Sequence, residues 1–179
     1  MITLLLLLSK VYFAQVPLYL DVSPSIANLF SETTYSCDYI ESIPSTNTTI
    51  ILPDWLCNEM NYTTFDFSRF ADLEYLEIGS NSFGFVDTFV IDGLKNLTTL
   101  KIGENSFTEI KNGAKYNSDK SFHIKNCESL ELIEIDEYSF SDYSGEFELM
   151  NLPSLQSIKI GSVNSLSNSF FYSSFIIHG

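Results

Sequence analysis

The stretch LEYLEIGSNSF, residues 73–83, decides the fold, because it returns downstream in altered wording. The chain continues with LTTLKIGENSF (97–107), LELIEIDEYSF (130–140) and LQSIKIGSVNS (155–165). Aligned on Leu73, Leu97, Leu130 and Leu155, the steps are 24, 33 and 25 residues. A second pattern leads each phrase: Phe65-x-Phe67, Phe89-x-Ile91, Phe122-x-Ile124 and Phe147-x-Leu149. Each opening Phe precedes its Leu by eight residues. Self-similarity at this period marks an array of stacked units. One such unit cannot bury its apolar side alone, whereas neighbours stacked in line share a continuous core.

The chemistry within a unit sets its local structure. Leu76 and Ile78 recur as Leu100 and Ile102, Ile133 and Ile135, and Ile158 and Ile160. Their period of two places both side chains on one face of a strand. Gly79, Gly103, Asp136 and Gly161 follow and suit a turn. Phe83, Phe107 and Phe140 then return to the core. The Phe-x-Ile pair also alternates, which predicts a second short strand on the opposite side of the coil. Each buried Phe or Leu is worth roughly 1.5–3 kcal/mol, so five or six per rung hold a strand in line.

The phrase resembles the leucine-rich repeat, L-x-x-L-x-L-x-x-N, matched by Leu73 to Asn81 and Leu97 to Asn105. Its Ser-Phe ending (Ser82-Phe83, Ser106-Phe107, Ser139-Phe140) is similar to the BspA-like subgroup of surface leucine-rich-repeat proteins. The resemblance covers residues 65–179. It implies a β-rich leucine-rich-repeat solenoid with few or no regular helices and a protein-binding or adhesive surface. Tyr138 and Val163 replace the motif Asn in the last two units, so the family's Asn ladder is at most half present. The phrase at 155–165 lacks the closing Phe, and Leu166 is the expected substitute.

On this reading residues 1–16 form a possible signal peptide, carried by the apolar run Leu4 to Leu8, although Lys10 interrupts it. Residues 17–64 form an N-terminal cap, and residues 65–179 an array of about four units. Cys127 falls in the core column of Phe70, Leu94 and Leu152 and reads as an inert buried thiol. Cys37 and Cys57 both lie in the cap and are the candidate disulfide that would staple it, given export from the cell. Asn47, Asn61 and Asn96 each open an Asn-X-Thr sequon, and carry glycans only if the chain enters the secretory pathway.

The strand faces that point away from the core carry the candidate binding residues. Tyr75, Thr99, Leu132 and Ser157 form one predicted column, and Glu77, Lys101, Glu134 and Lys159 a second of alternating sign. Opposite charges on adjacent strands form a ladder that pins register, and a protein partner would dock on Tyr75 and Leu132. The 33-residue step holds a polar loop with Lys111, Lys115 and Lys120, read as a solvated loop or a patch for an acidic partner.

Composition and missing motifs narrow the function. The chain has 23 acidic and 9 basic side chains, a net charge of −14, and no Lys or Arg between Lys10 and Arg69. Such a surface repels phosphate backbones, so nucleic acid is not an expected partner. No run of 18 or more apolar residues offers a membrane span. No Gly-rich phosphate loop, His-Glu-x-x-His, Cys-x-x-Cys or regular calcium loop occurs. His123 lies between core-facing Phe122 and Ile124, is expected to be exposed, and has no evident catalytic partner. The expectation is a chain that is not an enzyme and needs no cofactor or metal. Phe175 to Gly179 restate the start of a unit, as in Phe89 to Gly93, so a final apolar rung is left open. That marks either a fragment of a longer array or a surface for self-association. Two functional readings follow: a binding or adhesion module, secreted or at the cell surface, and a structural or regulatory repeat protein in the cytoplasm.

Overall fold

In the computed structural model, residues 34–110, 113–162 and 167–178 are described here, and they belong to one compact unit, Glu32–Gly179. The possible leader (1–16), Lys111, Val163 and Leu166 lie outside the described residues. One helical turn, α1 (Asp38–Glu41), precedes β1 (Thr49–Ile51), β2 (Thr64–Asp66), β3 (Tyr75–Ile78), β4 (Thr88–Asp92) and β5 (Thr99–Ile102). Then come β6 (Ser121–Lys125), β7 (Leu132–Ile135), β8 (Glu146–Met150), β9 (Ser157–Ile160) and β10 (Ser174–His178). The strands build two five-stranded parallel sheets, β1-β3-β5-β7-β9 and β2-β4-β6-β8-β10. The chain is a β-solenoid. Leu76, Leu100, Ile133 and Ile158 are direct register partners across neighbouring strands, as the period requires.

The two Phe positions of each unit become two stacked columns between the sheets. Phe65, Phe89, Phe122 and Phe147 stack at 4.9, 4.7 and 4.8 Å between ring centroids. Phe83, Phe107, Phe140 and Phe170 stack at 5.0, 4.7 and 4.8 Å. Rings meet edge-to-face between the columns, for example Phe89 against Phe107 at 5.1 Å and Phe122 against Phe140 at 5.0 Å. Both geometries suit the ring quadrupole. Phe170 is the fourth member of the second column.

Three successive coils turn their corner through a serine flanked by left-handed residues. Asn81, Asn105 and Tyr138 have φ of 58, 54 and 59°, and Phe83, Phe107 and Phe140 have 59, 56 and 56°. Asn tolerates that region because its short amide can bond locally. The serines between them are buried and form a ladder. Leu56 N donates to Ser82 Oγ at 3.0 Å, Ser82 N to Ser106 Oγ at 3.2 Å, and Ser106 N to Ser139 Oγ at 3.1 Å. Ser106 and Ser139 hydroxyls in turn donate to the Gly79 and Gly103 carbonyls at 2.8 and 2.7 Å. Hydroxyls thus satisfy corner amides that water cannot reach. The turn glycine is needed for space: a Cβ on Gly79 would lie 2.4 Å from Asp54 N.

The array begins earlier than the repeat phrase indicates. β1 pairs with β3 in the register Thr49↔Tyr75 and Ile50↔Leu76. Continued along the chain, that register sets Trp55, Leu56 and Cys57 against Asn81, Ser82 and Phe83. Trp55 and Cys57 share the left-handed backbone, with φ of 60 and 54°. Residues 49–57 are therefore a coil, preceded among the described residues by α1. Cys57 occupies the Phe column, is 1 % exposed, and forms a disulfide with Cys37. The bridge ties α1, whose Ile40 is buried, onto the first coil. Reducing it is expected to lower stability by about 3 kcal/mol, the loop-closure value for a ring of this size. Urea titration with and without reductant reads this directly; coincident curves would show that the cap is held by packing alone.

The 33-residue step is a loop strapped to the next corner. Thr108 Oγ1 and Ser141 Oγ lie 2.8 Å apart, Ser141 Oγ donates to Ile110 O at 3.0 Å, and Asn117 N donates to Ser144 Oγ at 3.1 Å. Lys120 ends this loop, and it is not a solvated residue. Its side chain is fully buried, with Nζ 3.0 Å from Asp142, 3.2 Å from Glu109 and 3.7 Å from Asp87. Lys120 therefore cannot touch a partner. Lys115 is exposed.

Candidate functional site

The outer face of the first sheet gathers six of the nine predicted contact residues. Parallel pairing sets Tyr75 beside Thr99, Leu132 and Ser157, and Glu77 beside Lys101, Glu134 and Lys159. All except Lys159 are half-buried. Their apolar neighbours in sequence point into the core, and that alternation fixes which side chains reach solvent.

The charge column forms only in part. Glu134 bridges two cations, Lys101 at 3.5 Å and Lys159 at 3.4 Å. Glu77 turns instead to its own strand and accepts a hydrogen bond from the Tyr75 hydroxyl. That bond to a carboxylate, with desolvation and the charges of Glu77 and Glu134, pushes the Tyr75 phenol up to about 12. Tyr75 thus stays a neutral hydrogen-bond donor with an apolar ring. A sequence column cannot show this, because Tyr75 and Glu77 compete with the cross-strand pair through side-chain reach.

Along the edge where β3, β5 and β7 end, the turns enclose a shallow groove of about 340 Å³. Asp54, Glu77, Glu134 and Asp136 line it with Lys101. Asp136 also borders a second depression with Glu104 and Glu137. Burial, then the charges of Glu134 and Glu137, raises the Asp136 carboxyl above its ordinary value. Asp54, Glu104, Asp136 and Glu137 were not among the sequence candidates. They occupy turn positions after each strand, a place that the repeat alignment marks but whose side-chain direction it leaves open. The trough is open and carboxylate-rich.

The second sheet brings together residues that the sequence separates. His123 Nδ1 lies 3.0 Å from Glu148 Oε2, so His123 has a partner and is half-buried. Lys125 pairs with the same carboxylate. Hydrogen bonds from Lys125 and then His123 hold the Glu148 carboxyl below its ordinary value. Among the described residues, His123, Glu146 and Glu148 are the group whose ligand atoms lie within 4.8 Å of one another. The Lys125 ammonium already neutralises Glu148, which opposes a second cation there.

The remaining candidates are distributed. Asn61 and Asn96 are exposed on turns, while Asn47 is half-buried. Cys127 is buried, its thiol donates to Lys125 O at 3.2 Å, and burial pushes it up to about 11, so it stays protonated. Among the described residues no helix is long and apolar enough to cross a membrane. No family, no curated protein and no solved structure matches this chain.

Proposed function

We propose that this chain is a binding module of leucine-rich-repeat type, without catalytic activity, that engages a protein through the outer face of its first sheet and acts outside the cell. One observation carries the reading: Tyr75, Leu132, Glu77, Lys101 and Glu134 occupy one sheet face in a fixed register, held by a core that leaves them little freedom. A pre-ordered row of this kind loses little side-chain entropy when a partner docks. Tyr75 supplies an amphipathic anchor and Leu132 an apolar one, rimmed by charges that set register. The L-x-x-L-x-L-x-x-N phrase supports the family reading. The Cys37–Cys57 bridge, the apolar N-terminal run and the exposed sequons at Asn61 and Asn96 support export.

The test compares two variants of the whole chain. Tyr75→Ala with Leu132→Ala alters the face, and Val90→Ala with Ile176→Ala alters outward positions of the second sheet. Cross-linking capture on intact source cells, followed by affinity measurement with the captured protein, is expected to show at least a tenfold loss for the first variant only. Equal retention by both overturns the assignment of the face. Mass spectrometry of Asn61 and Asn96 checks the compartment: bare sequons on the cell-derived protein contradict export.

A further inference from the structure

Lys120 is fully buried, and Asp142 beside it is 1 % exposed. Their backbones are pinned on neighbouring coils. Gly145 N donates to Lys120 O at 3.1 Å, and Tyr143 N donates to Phe140 O at 3.1 Å. A Cβ on Gly145 would lie 2.5 Å from Lys120 O, so glycine is what lets the coils approach this closely. Lys120 Nζ consequently lies 3.0 Å from Asp142 Oδ2. The buried ring of Tyr143 closes one side of the site, its centroid 5.6 Å from Nζ.

A buried ammonium is ordinarily held by hydrogen bonds to the lone pairs around it. Among the described residues Nζ has no hydrogen-bond partner in spite of that short distance, and neither has Asp142 Oδ1. The amine and the carboxyl are thus brought together without the alignment that would satisfy them as charges. Glu109 completes the set. Its backbone N donates to Asp142 Oδ2 at 3.3 Å, and its carboxylate stands 3.2 Å from Nζ. The Glu109 side chain is 40 % exposed, so it meets water while the pair beside it stays dry. An amine fixed against a buried carboxyl, with a second carboxylate in reach of the nitrogen, is the arrangement that condensation to an amide requires.

We propose that Lys120 and Asp142 are a modification site at which the folded chain joins itself through an intramolecular amide. A bond forms between Lys120 Nζ and Asp142 Cγ, and the bond from Cγ to Oδ1 breaks. The nitrogen enters as an ammonium. Two of its protons leave with Oδ1 as water, relayed by the Glu109 carboxylate, which ends unchanged, and the third stays on the amide nitrogen. One positive and one negative charge become a neutral amide and a neutral water, and nothing is oxidised or reduced. Oδ2 becomes the amide carbonyl and keeps the hydrogen bond from Glu109 N. The product removes two buried charges and the unpartnered Oδ1 together, and a dry site slows the return reaction. Folding comes first, because only the stacked coils bring positions 109, 120 and 142 together; the ion pair is the state from which the bond forms. The amide ties the end of the long loop to the corner after β7.

Tryptic digestion and mass spectrometry of the whole chain, shown to be folded by circular dichroism and kept at neutral pH, read the bond. Trypsin does not cut after an acylated lysine. The expected product is therefore residues 116–125 joined to residues 126–159, lighter by one water than the two peptides apart. Glu109→Gln alters a half-solvated side chain and is expected to leave the spectrum unchanged while slowing the link about a hundredfold, the scale of a positioned acid–base group. Lys120→Arg keeps the charge and is expected to give no link. Recovery of only the separate peptides 116–120, 121–125 and 126–159 from the folded chain overturns the proposal. Loss of water from 126–159 with no joined peptide marks a succinimide at Asp142 and overturns it equally. Linking at full rate in Glu109→Gln overturns the part given to Glu109.

Discussion

Phe140→Ala is expected to lower the free energy of unfolding by about 3–5 kcal/mol, the range for deleting a fully buried aromatic ring. Phe140 is 0 % exposed and touches five rings: Phe107 and Phe170 stacked at 4.7 and 4.8 Å, and Phe122, Tyr143 and Phe89 edge-on at 5.0, 4.9 and 5.4 Å. The missing ring leaves a gap between coils, where each coil has only its two neighbours for support. Phe175→Ala deletes the same ring from β10, where Phe175 is 54 % exposed and packs on Phe147 at 4.5 Å. Its cost is expected to be about 1 kcal/mol or less, because most of that ring already meets water. Urea titration of both variants decides the matter. Equal losses would mean that the stacked columns are not what holds the coils together.

Lys120→Ala is expected to cost about 3–5 kcal/mol, the penalty for breaking a buried ion pair by removing one partner. Among the described residues the ammonium is the one cation paired with Asp142, Glu109 and Asp87, and the Asp142 side chain is 2 % exposed. Asp142 Oδ1 is buried and has no hydrogen-bond partner among the described residues, so losing Lys120 deepens an existing deficit. Lys120→Met keeps the volume and removes the charge, and it is expected to be nearly as damaging. Adding Asp142→Leu to Lys120→Met is expected to recover most of the loss, since an apolar pair replaces the stranded carboxylate. Lys95→Ala is the comparison. Lys95 and Glu128 lie 3.2 Å apart but are 69 % and 58 % exposed, and removing such a pair shifts stability by about 1 kcal/mol or less. A Lys120→Ala cost as small as that of Lys95→Ala would place the ammonium in solvent after all.

These two residues mark where reading the chain succeeds and where it stops. Phe140 stands at a fixed offset from Ile133 and Ile135, as Phe107 does from Leu100 and Ile102, so its burial follows from the repeat. Lys120 ends a polar, lysine-bearing loop, and polarity by itself argues for water. The carboxylates that bury it come from positions 87, 109 and 142, on three different segments, and no local pattern announces their meeting. The same holds for His123 and Glu148, which are 25 residues apart and become neighbours only because β6 and β8 pair.

The first coil was hidden for another reason. Pro53, Trp55, Leu56 and Cys57 stand where later units have Gly79, Asn81, Ser82 and Phe83, so the sequence phrase is unrecognisable while the backbone conformation persists. A disulfide takes the place of a stacked ring at that end of the column. At the other end, Phe170 fills its column although 30 positions separate it from Phe140, because a stacked ring is required at a place in space and not at a count along the chain.

By itself the sequence determined the parallel strands, their register and the inward and outward sides of the first sheet, since a period of two repeated over similar units leaves one way to bury the apolar side chains. Only the tertiary structure decided which charges pair, which lysine is withdrawn from solvent, and that Glu77 answers Tyr75 in place of Lys101. Apolar burial is additive and local to a column, so it is written in the repeat. Electrostatic pairing depends on distances between side chains from separate coils, and those distances exist only once the coils have stacked.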